Sequence, residues 1–450
     1  MVGPRILVGL VVVAVGVAFA DSSIVVLALP ELYTRFHTTI ERVSWVVTAY
    51  NAAVAVAALL LVFVVHRVRA KTVFVAGLLV FMAASVACAA ADSLWFLVAA
   101  RSVQGVGAAL LLAGSLPLLV SLTGSALRGA TIWTLTGTFA ASLGPALGGA
   151  VTQALGWRAI FVVQAPLAAA GLVAATQVRA QPILEEGWSR SAARSIPANA
   201  CLALLFGALV GVLFLSVLLV ITVWGYSPIA GAAIVSVLPA AALAALPLER
   251  RLTRMTAVYG GSALLAAGLL GLAFLPFASV GFCMASLVFC GIGLGLAIPV
   301  LSNAALDLGS GLSRTGTLTI GVRHLGLVLA IACIAPLLAS ELHGTGKQGE
   351  LRATAVLLDA PIGLSSKIPV ALDARNEFAR AQAGEIPDLS RPFDAHGARS
   401  DPALAAARDR LVTTIEDTIT RAFRSSFVLC AALALAALAL AFFFRRRVVT

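Results

Sequence analysis

Apolar residues in this chain do not alternate with polar ones. They come in long runs, each closed by a short polar break. A helix rises about 1.5 Å per residue, so roughly 20 apolar residues carry it across a bilayer. Twelve runs have that character: 6–30, 43–65, 72–90, 94–120, 127–153, 157–178, 199–224, 228–248, 256–276, 279–303, 316–340 and 424–444. The breaks are polar or turn-forming, as in "HRVRAK" at 66–71, "TGSALR" at 123–128, "LERRLTR" at 248–254 and "LGSGLSR" at 308–314. The pattern predicts an all-α polytopic membrane protein. A membrane β-barrel would instead show short alternating segments. Further spans follow the first run at once and no small-residue cleavage site closes it, so it reads as a retained span and not a signal peptide.

The breaks also divide the chain. Residues 179–198 hold a mixed-charge stretch, "QPILEEGWSRSAARS", that reads as a cytoplasmic linker between an N-terminal six-helix bundle (1–178) and a C-terminal one (199–340 and 424–450). Residues 341–423 interrupt the second bundle with near-balanced charge and are too long for an ordinary loop. Pro369 reads there as a first-turn residue and Gly384 as a stop. Asp401 followed by Pro402 caps a second helix, with apolar positions at Leu404, Leu411, Val412, Ile415, Ile419 and Phe423. With no cysteine and few aromatics, the insertion is expected to be mainly helical, to build little core of its own and to lie on the outer rim, where it can meet an extracytoplasmic partner.

Composition and charge sharpen this picture. The chain is 60% hydrophobic and 11% charged, with mean hydropathy +1.02, against about 25% charged in soluble domains. Arg67, Arg69, Lys71, Arg128, Arg179, Arg250, Arg254, Arg314 and Arg445 to Arg447 fall on one side of the spans, with Arg5. The short loops opposite hold only Arg35, Arg42 and Arg158. Positive residues mark the cytoplasmic side, so both termini are expected inside the cell membrane. The same asymmetry accounts for the net charge of +11 without nucleic acid, since no basic stripe interleaves with aromatics. The six cysteines sit in apolar runs without metal-site spacing and read as packing residues, leaving no metal and no cofactor expected. There is no phosphate-cradling G-x-x-x-x-G-K-[ST] and no H-E-x-x-H. An enzyme and an ATP-driven pump are thus disfavoured.

Polar groups within a membrane are costly and mark function by default. Here they are Asp21 in span 1, Asn51 in span 2, Arg101 and Gln104 in span 4, and Arg323 with His324 in span 11. Counted from Pro30 and Leu94, Asp21 and Arg101 lie at similar depth, roughly 10–14 Å from the outer boundary. Pairing would offset their desolvation. A static ion pair that fixes helix packing and a titrating carboxylate that changes partner with conformation both fit. Arg323 can snorkel to the inner headgroups, and His324 is either a packed neutral histidine or a second titrating group. Gly105 and Gly107 after Arg101, and Gly144, Gly148 and Gly149 in span 5, allow close helix approach. Pro145 removes a backbone hydrogen bond.

"RSVQGVGAA" in span 4 and "GPALGG" in span 5 resemble the R-x-x-Q-G-x-G-A-A and G-P-x-x-G-G motifs of the major facilitator superfamily. "DSSIVVLALP", "GWRAIFVVQAP", "GYSPIAGA" and "GVRHLGLVLA" resemble stretches of its fourteen-span drug–proton antiporter branch, here with twelve spans. The resemblance covers nearly everything except 341–423. It implies a major facilitator fold of two six-helix bundles rocking about a midplane site. It also implies that Arg101 lines the central cavity and governs proton transfer with Asp21, with Gln104 orienting it. One loop departs: the family's G-x-L-A-D-R-x-G-R-R, which latches the inner gate, reads "VFVVHRVRAK" here. Arg67 remains, but Val62, His66 and Arg69 replace the first glycine, the aspartate and the second glycine.

The expected function is a secondary transporter that exchanges protons for a small amphipathic or lipophilic compound. Proton-coupled uptake, lipid flipping through the same cavity, and a non-transporting receptor or assembly partner are the alternatives.

Overall fold

A computed structural model of the chain describes residues 3–178, 188–306, 311–380, 390–398 and 401–443. These are helical, with no strand among the described residues. The N-terminal half begins with α1 (Pro4–Ile24), which passes through a 3₁₀ turn at Val25–Ala28 into α2 (Leu29–Arg35). It continues with α3 (Ile40–Leu61), α4 (Ala70–Ala89), α5 (Leu94–Thr123), α6 (Ala126–Leu155) and α7 (Trp157–Gln177). The C-terminal half opens with α8 (Trp188–Val217), then α9 (Pro228–Val235) and α10 (Val237–Glu249), which share one crossing, then α11 (Arg254–Ala273), α12 (Val280–Leu306) and α13 (Leu312–Asp359). The insertion adds α14 (Leu364–Arg380), α15 (Ser390–Ala395) and α16 (Pro402–Ala422) before α17 (Arg424–Phe443) closes the half.

Local chemistry sets the helix starts. The side-chain oxygens of Thr39, Ser93, Ser125, Ser227 and Thr253 each accept the backbone N–H three residues on, which satisfies a donor that has no partner in the first turn. Gly124 and Gly156, at φ +64° and +79°, make turns that a side chain would strain.

Among the described residues, 11 helical segments are long and apolar enough to cross a membrane. The chain is a multi-pass membrane protein. The predicted fifth span, α6, falls outside that set because glycine, threonine and proline dilute its apolar residues. It still packs on α1, α5 and α7, and across the halves on α9, α10 and α12. Two buried cores join the halves. One runs from Val25, Val43 and Phe161 into most of the C-terminal half, and the other holds the remaining N-terminal helices with Leu306, Leu312 and Ile320.

Three boundaries differ from the sequence reading. Helix α8 starts at Trp188 and buries Ser195 and Ala198, so the second part of the expected linker is already helix. Helix α13 runs 48 residues, well past 340, because α16 packs along its extension and Arg352 donates to Thr418 Oγ1 at 2.8 Å. Helix α14 starts at Leu364, which puts Pro369 inside it. The insertion also has a core of its own. Leu357, Val370 and Phe393 pack against Leu404, Leu411 and Ile415, whose spacing puts one apolar stripe of α16 inward. The cap on α16 forms as its sequence implies, with Asp401 Oδ1 accepting from Ala403 N at 2.8 Å. Linker residues 179–187, the first part of the 308–314 break, Gly384 and the basic Arg445–Arg447 tail lie outside the described residues.

Candidate functional site

Asp21 and Arg101, from α1 and α5, meet inside the N-terminal half at 0% exposure each. Arg101 Nη1 donates to Asp21 Oδ2 at 2.5 Å and to Gln104 Oε1 at 2.6 Å, and Nε donates to Val46 O at 3.0 Å. The guanidinium also lies 4.2 Å from the Tyr50 ring centroid. Gln164 of α7 donates to Asp21 Oδ1 at 2.7 Å. Gln104 Nε2 donates to Gln164 Oε1 at 2.8 Å and to Ser85 Oγ at 2.9 Å. The carboxylate thus accepts on both oxygens, as a buried charge requires. Arg101 Nη2 alone has no partner. Five helices, α1, α3, α4, α5 and α7, contribute to this network. Gln164 and Ser85 were not singled out in the sequence, yet Gln164 interrupts the apolar run "AIFVVQAPLAAA" just as Gln104 interrupts its own.

The next residue on α1 begins a second network, which crosses between the halves. Ser22 Oγ donates to Asn51 Oδ1 at 3.0 Å, and Asn51 Nδ2 donates to Val47 O at 2.8 Å. His324 Nδ1, from α13, lies 2.8 Å from the same Asn51 oxygen. An acceptor oxygen there requires a proton on Nδ1 and leaves Nε2 as a free acceptor. Nε2 is buried without a partner, so His324 is packed into the seam between the halves in this arrangement.

A cavity lies between the halves, lined by Phe19, Trp133 and Thr134 on one side and Phe206, Thr319 and Arg323 on the other. Arg323 does not snorkel to headgroups. Its guanidinium sits 4.5 Å from the ring centroids of both Phe19 and Phe206. Asn51, Gln104, His324 and Arg101, expected at the cavity, are absent from its lining. Their partners turn them into the N-terminal half or the seam between halves.

The glycines divide by what they face. A Cβ on Gly107 would lie 2.5 Å from Phe81 N, and one on Gly148 would lie 2.6 Å from Ile24 O. Gly105 fits against Tyr50 O, and Gly144 against Ser23. These contacts stay within the N-terminal half. Gly149 instead faces Pro228 and Ala232 of α9, where Ile229 N also donates to Gln153 Oε1 at 2.9 Å. Pro145 is buried within an unbroken α6. At the opposite end Arg314 Nε donates to Val62 O at 3.1 Å, with Nη2 3.5 Å from His66 Nε2. Arg67 is exposed beside them. The halves therefore touch at both ends of the cavity. Partial burial, then the positive charges of Arg314 and Arg67, hold the His66 imidazole below the ordinary histidine range, so it is neutral and can accept from Arg314.

The family model described as Major Facilitator Superfamily matches residues 11–339. The chain belongs to the major facilitator superfamily. Membership in that family favours a transporter over an enzyme. Over 174 residues it is 33% identical to the methylenomycin A resistance protein of Bacillus subtilis, covering 38% of this chain and 37% of that protein. Over 154 residues it is 34% identical to the drug efflux pump JefA of Mycobacterium tuberculosis, 34% of this chain and 30% of that one. The chain thus spans about a third of the length of these curated relatives. A bacterial homologue of the human lysosomal transporter Spinster, solved in an inward-facing and unoccupied conformation, superposes at TM-score 0.65 with 15% identity. That match covers 99% of this chain and 97% of that one. A D-xylose–proton symporter superposes at TM-score 0.57 with 15% identity, over 71% of this chain and 87% of that one. At this identity the likeness is one of fold.

Proposed function

We propose that this major facilitator protein exports small lipophilic compounds across the cell membrane in exchange for protons, with both termini cytoplasmic. The basic loops support an orientation with the His66–Arg314 contact at the inner end and the Gln153–Ile229 contact at the outer end. The observation that carries the reading is the position of Asp21: sealed against Arg101 and Gln164, and one residue from Ser22, which begins the bond chain to His324 across the halves.

In the arrangement seen, Asp21 accepts on both oxygens, from Arg101 and from Gln164. A proton on Asp21 removes the counter-charge of Arg101, whose Nη2 already lacks a partner. A buried charge stripped of its partner costs about 3–5 kcal/mol, so the protonated state favours an arrangement in which α1 and α5 separate. That movement carries Ser22 with it and loosens the Asn51–His324 bridge. The names of the relatives, a resistance protein and a drug efflux pump, support export of a drug-like compound. The insertion packs on the C-terminal half, where Ala278 N donates to Asp417 Oδ1 at 2.8 Å and Trp224 Nε1 to Thr420 Oγ1 at 3.0 Å. It acts as an extracytoplasmic cap that rides with that half and leaves a face for a partner.

The test is movement of labelled ethidium and 2-naphthoate in proteoliposomes under an imposed pH gradient. At least one should be driven by the gradient, and Asp21→Asn should abolish the drive. No gradient-driven movement of either compound favours a non-transporting receptor. Full drive in Asp21→Asn removes Asp21 from the mechanism.

A further inference from the structure

We propose that the cavity between the halves binds an amphipathic monoanion through Arg323, a substrate class whose transport, though not its binding, rests on the reading above. Arg323 is the charged residue among those lining the cavity, and no carboxylate lines it with Arg323. Asp21 does not serve as its partner, since both of that carboxylate's oxygens are committed to Arg101 and Gln164. The Arg323 guanidinium makes ring contacts on Phe19 and Phe206 at 4.5 Å and leaves Nε buried without a hydrogen-bond partner.

The arrangement suits an anion for geometric reasons. Aromatic rings engage a guanidinium through its faces, and the N–H donors point along its edges. Rings on the guanidinium therefore hold the cation in place without using up its donors. A planar fork of donors matches the two oxygens of a carboxylate, sulfonate or phosphate. Thr134 Oγ1 and Thr319 Oγ1, from opposite halves, are buried in the same lining and also lack partners. They supply further hydroxyl donors. The rest of the lining is largely aliphatic, including Leu202, Leu213 and Ile298, and suits a hydrocarbon body. A single buried cation is balanced by one negative charge. An ammonium compound would meet Arg323 with no acid to offset it.

The experiment is equilibrium binding of tritiated 2-naphthoate to the full-length protein in nanodiscs of zwitterionic lipid, with no gradient. We expect saturable binding. Unlabelled 2-naphthoate should displace it at least tenfold more effectively than 2-naphthylmethylammonium or 2-naphthylmethanol, which share its hydrocarbon. Arg323→Gln should weaken binding at least tenfold, and Arg323→Lys, which keeps the charge and loses the fork, should fall between. Displacement by lysophosphatidylglycerol identifies a lipid headgroup as the natural source of the anion. Its failure to displace identifies a free organic acid. No saturable binding, equal displacement by the ammonium compound, or unchanged binding in a folded Arg323→Gln variant overturns the proposal. If Arg323→Gln does not fold, the anion-to-cation ratio in the unaltered protein still decides it. Intact anion binding without any transport sinks the transporter reading and leaves this one standing. Gradient-driven transport of ethidium with equal anion and cation binding does the reverse.

Discussion

Two arginines within the protein, Arg101 buried and Arg323 half-buried, are held in opposite ways. Arg101 lies deep in the N-terminal half, bonded to a carboxylate, a glutamine and a backbone carbonyl. Arg323 lies at the boundary between halves, stacked on two phenyl rings and without a hydrogen-bond acceptor. The first cation is ion-paired within its own half, with Nη2 its one donor nitrogen left unpartnered. The second is positioned but unsatisfied. In the function proposed above, the difference separates two tasks that one cavity-lining arginine would otherwise combine: Arg101 would answer to the proton on Asp21, and Arg323 to what enters the cavity.

The sharpest way to break this comparison is to remove each cation. Arg101→Met leaves Asp21 buried without its counter-charge and should lower stability by about 3–5 kcal/mol, read as a large fall in melting temperature by fluorescence-detected size exclusion. Asp21→Asn combined with Arg101→Met should recover much of that loss, because no uncompensated charge remains. Arg323→Met removes no hydrogen bond and should change melting little. Equal losses in the two single variants would show that Arg323 is as structural as Arg101.

Much of this was legible in the sequence because burial of polar groups in a membrane is costly enough to be visible as an exception. Asp21, Arg101 and Gln104 stand out for that reason, and matched depth alone pairs the first two. Runs of apolar residues likewise place most helix ends to within a few residues, the start of α8 and the end of α13 excepted. The cavity was less legible, since its lining depends on which face of each helix meets the other half. Phe19, Phe206 and Trp133 look like any core aromatic until the halves are docked. The role of Arg314 was hidden for a related reason. The 62–71 loop departs from the family pattern at His66, and the compensating contact comes from a residue some 250 positions away. The insertion was misjudged because the α16 stripe, legible in the sequence, is completed by single large residues of three other helices, Leu357, Val370 and Phe393, none of which stands out in its own segment.

Neighbouring glycines test the same division between contacts inside a half and contacts between halves. Gly148 faces Ile24 in its own half, whereas Gly149 faces α9 in the other. Gly148→Leu overpacks a helix pair and should cost about 1–3 kcal/mol of stability. Gly149→Leu can relieve its clash by letting the outer ends part. Its melting should fall less, while transport should fall by about tenfold or more. Equal melting losses would mean that the outer contact is as rigid as the inside of a half.

The inner contact should respond to pH. His66 is held below the ordinary histidine range by partial burial and by Arg314 and Arg67, so the closed contact binds a proton less readily than an open one. By linkage the closed state is favoured above the ordinary histidine value of about 6.5 and loses ground as pH falls below it. A cysteine at Leu59, which faces Gly321 across the halves, should label faster with maleimide at pH 5.5 than at pH 7.5. The rate is taken relative to a reference cysteine at exposed Val68. His66→Gln should remove that difference. A pH response that survives His66→Gln would place the titrating group elsewhere.

The smallest effect on transport should come from the insertion, although it has a true core. Phe393 is fully buried among Val370, Leu404 and Leu411, and truncating a buried phenylalanine costs about 3–5 kcal/mol locally. That loss is confined because the main contacts of α16 with the membrane body run to the C-terminal half: to α13, to Trp224 and to Ala278. An element tied to one half moves with it and does not resist the rocking of the two. Phe393→Ala should therefore speed proteolysis within 360–400 several-fold while anion binding and gradient-driven transport change less than about twofold. The same logic exposes the prediction to a clear failure. If Phe393→Ala slows transport while binding stays intact, α16 must also touch the N-terminal half at some stage of the cycle. The insertion would then belong to the outer gate.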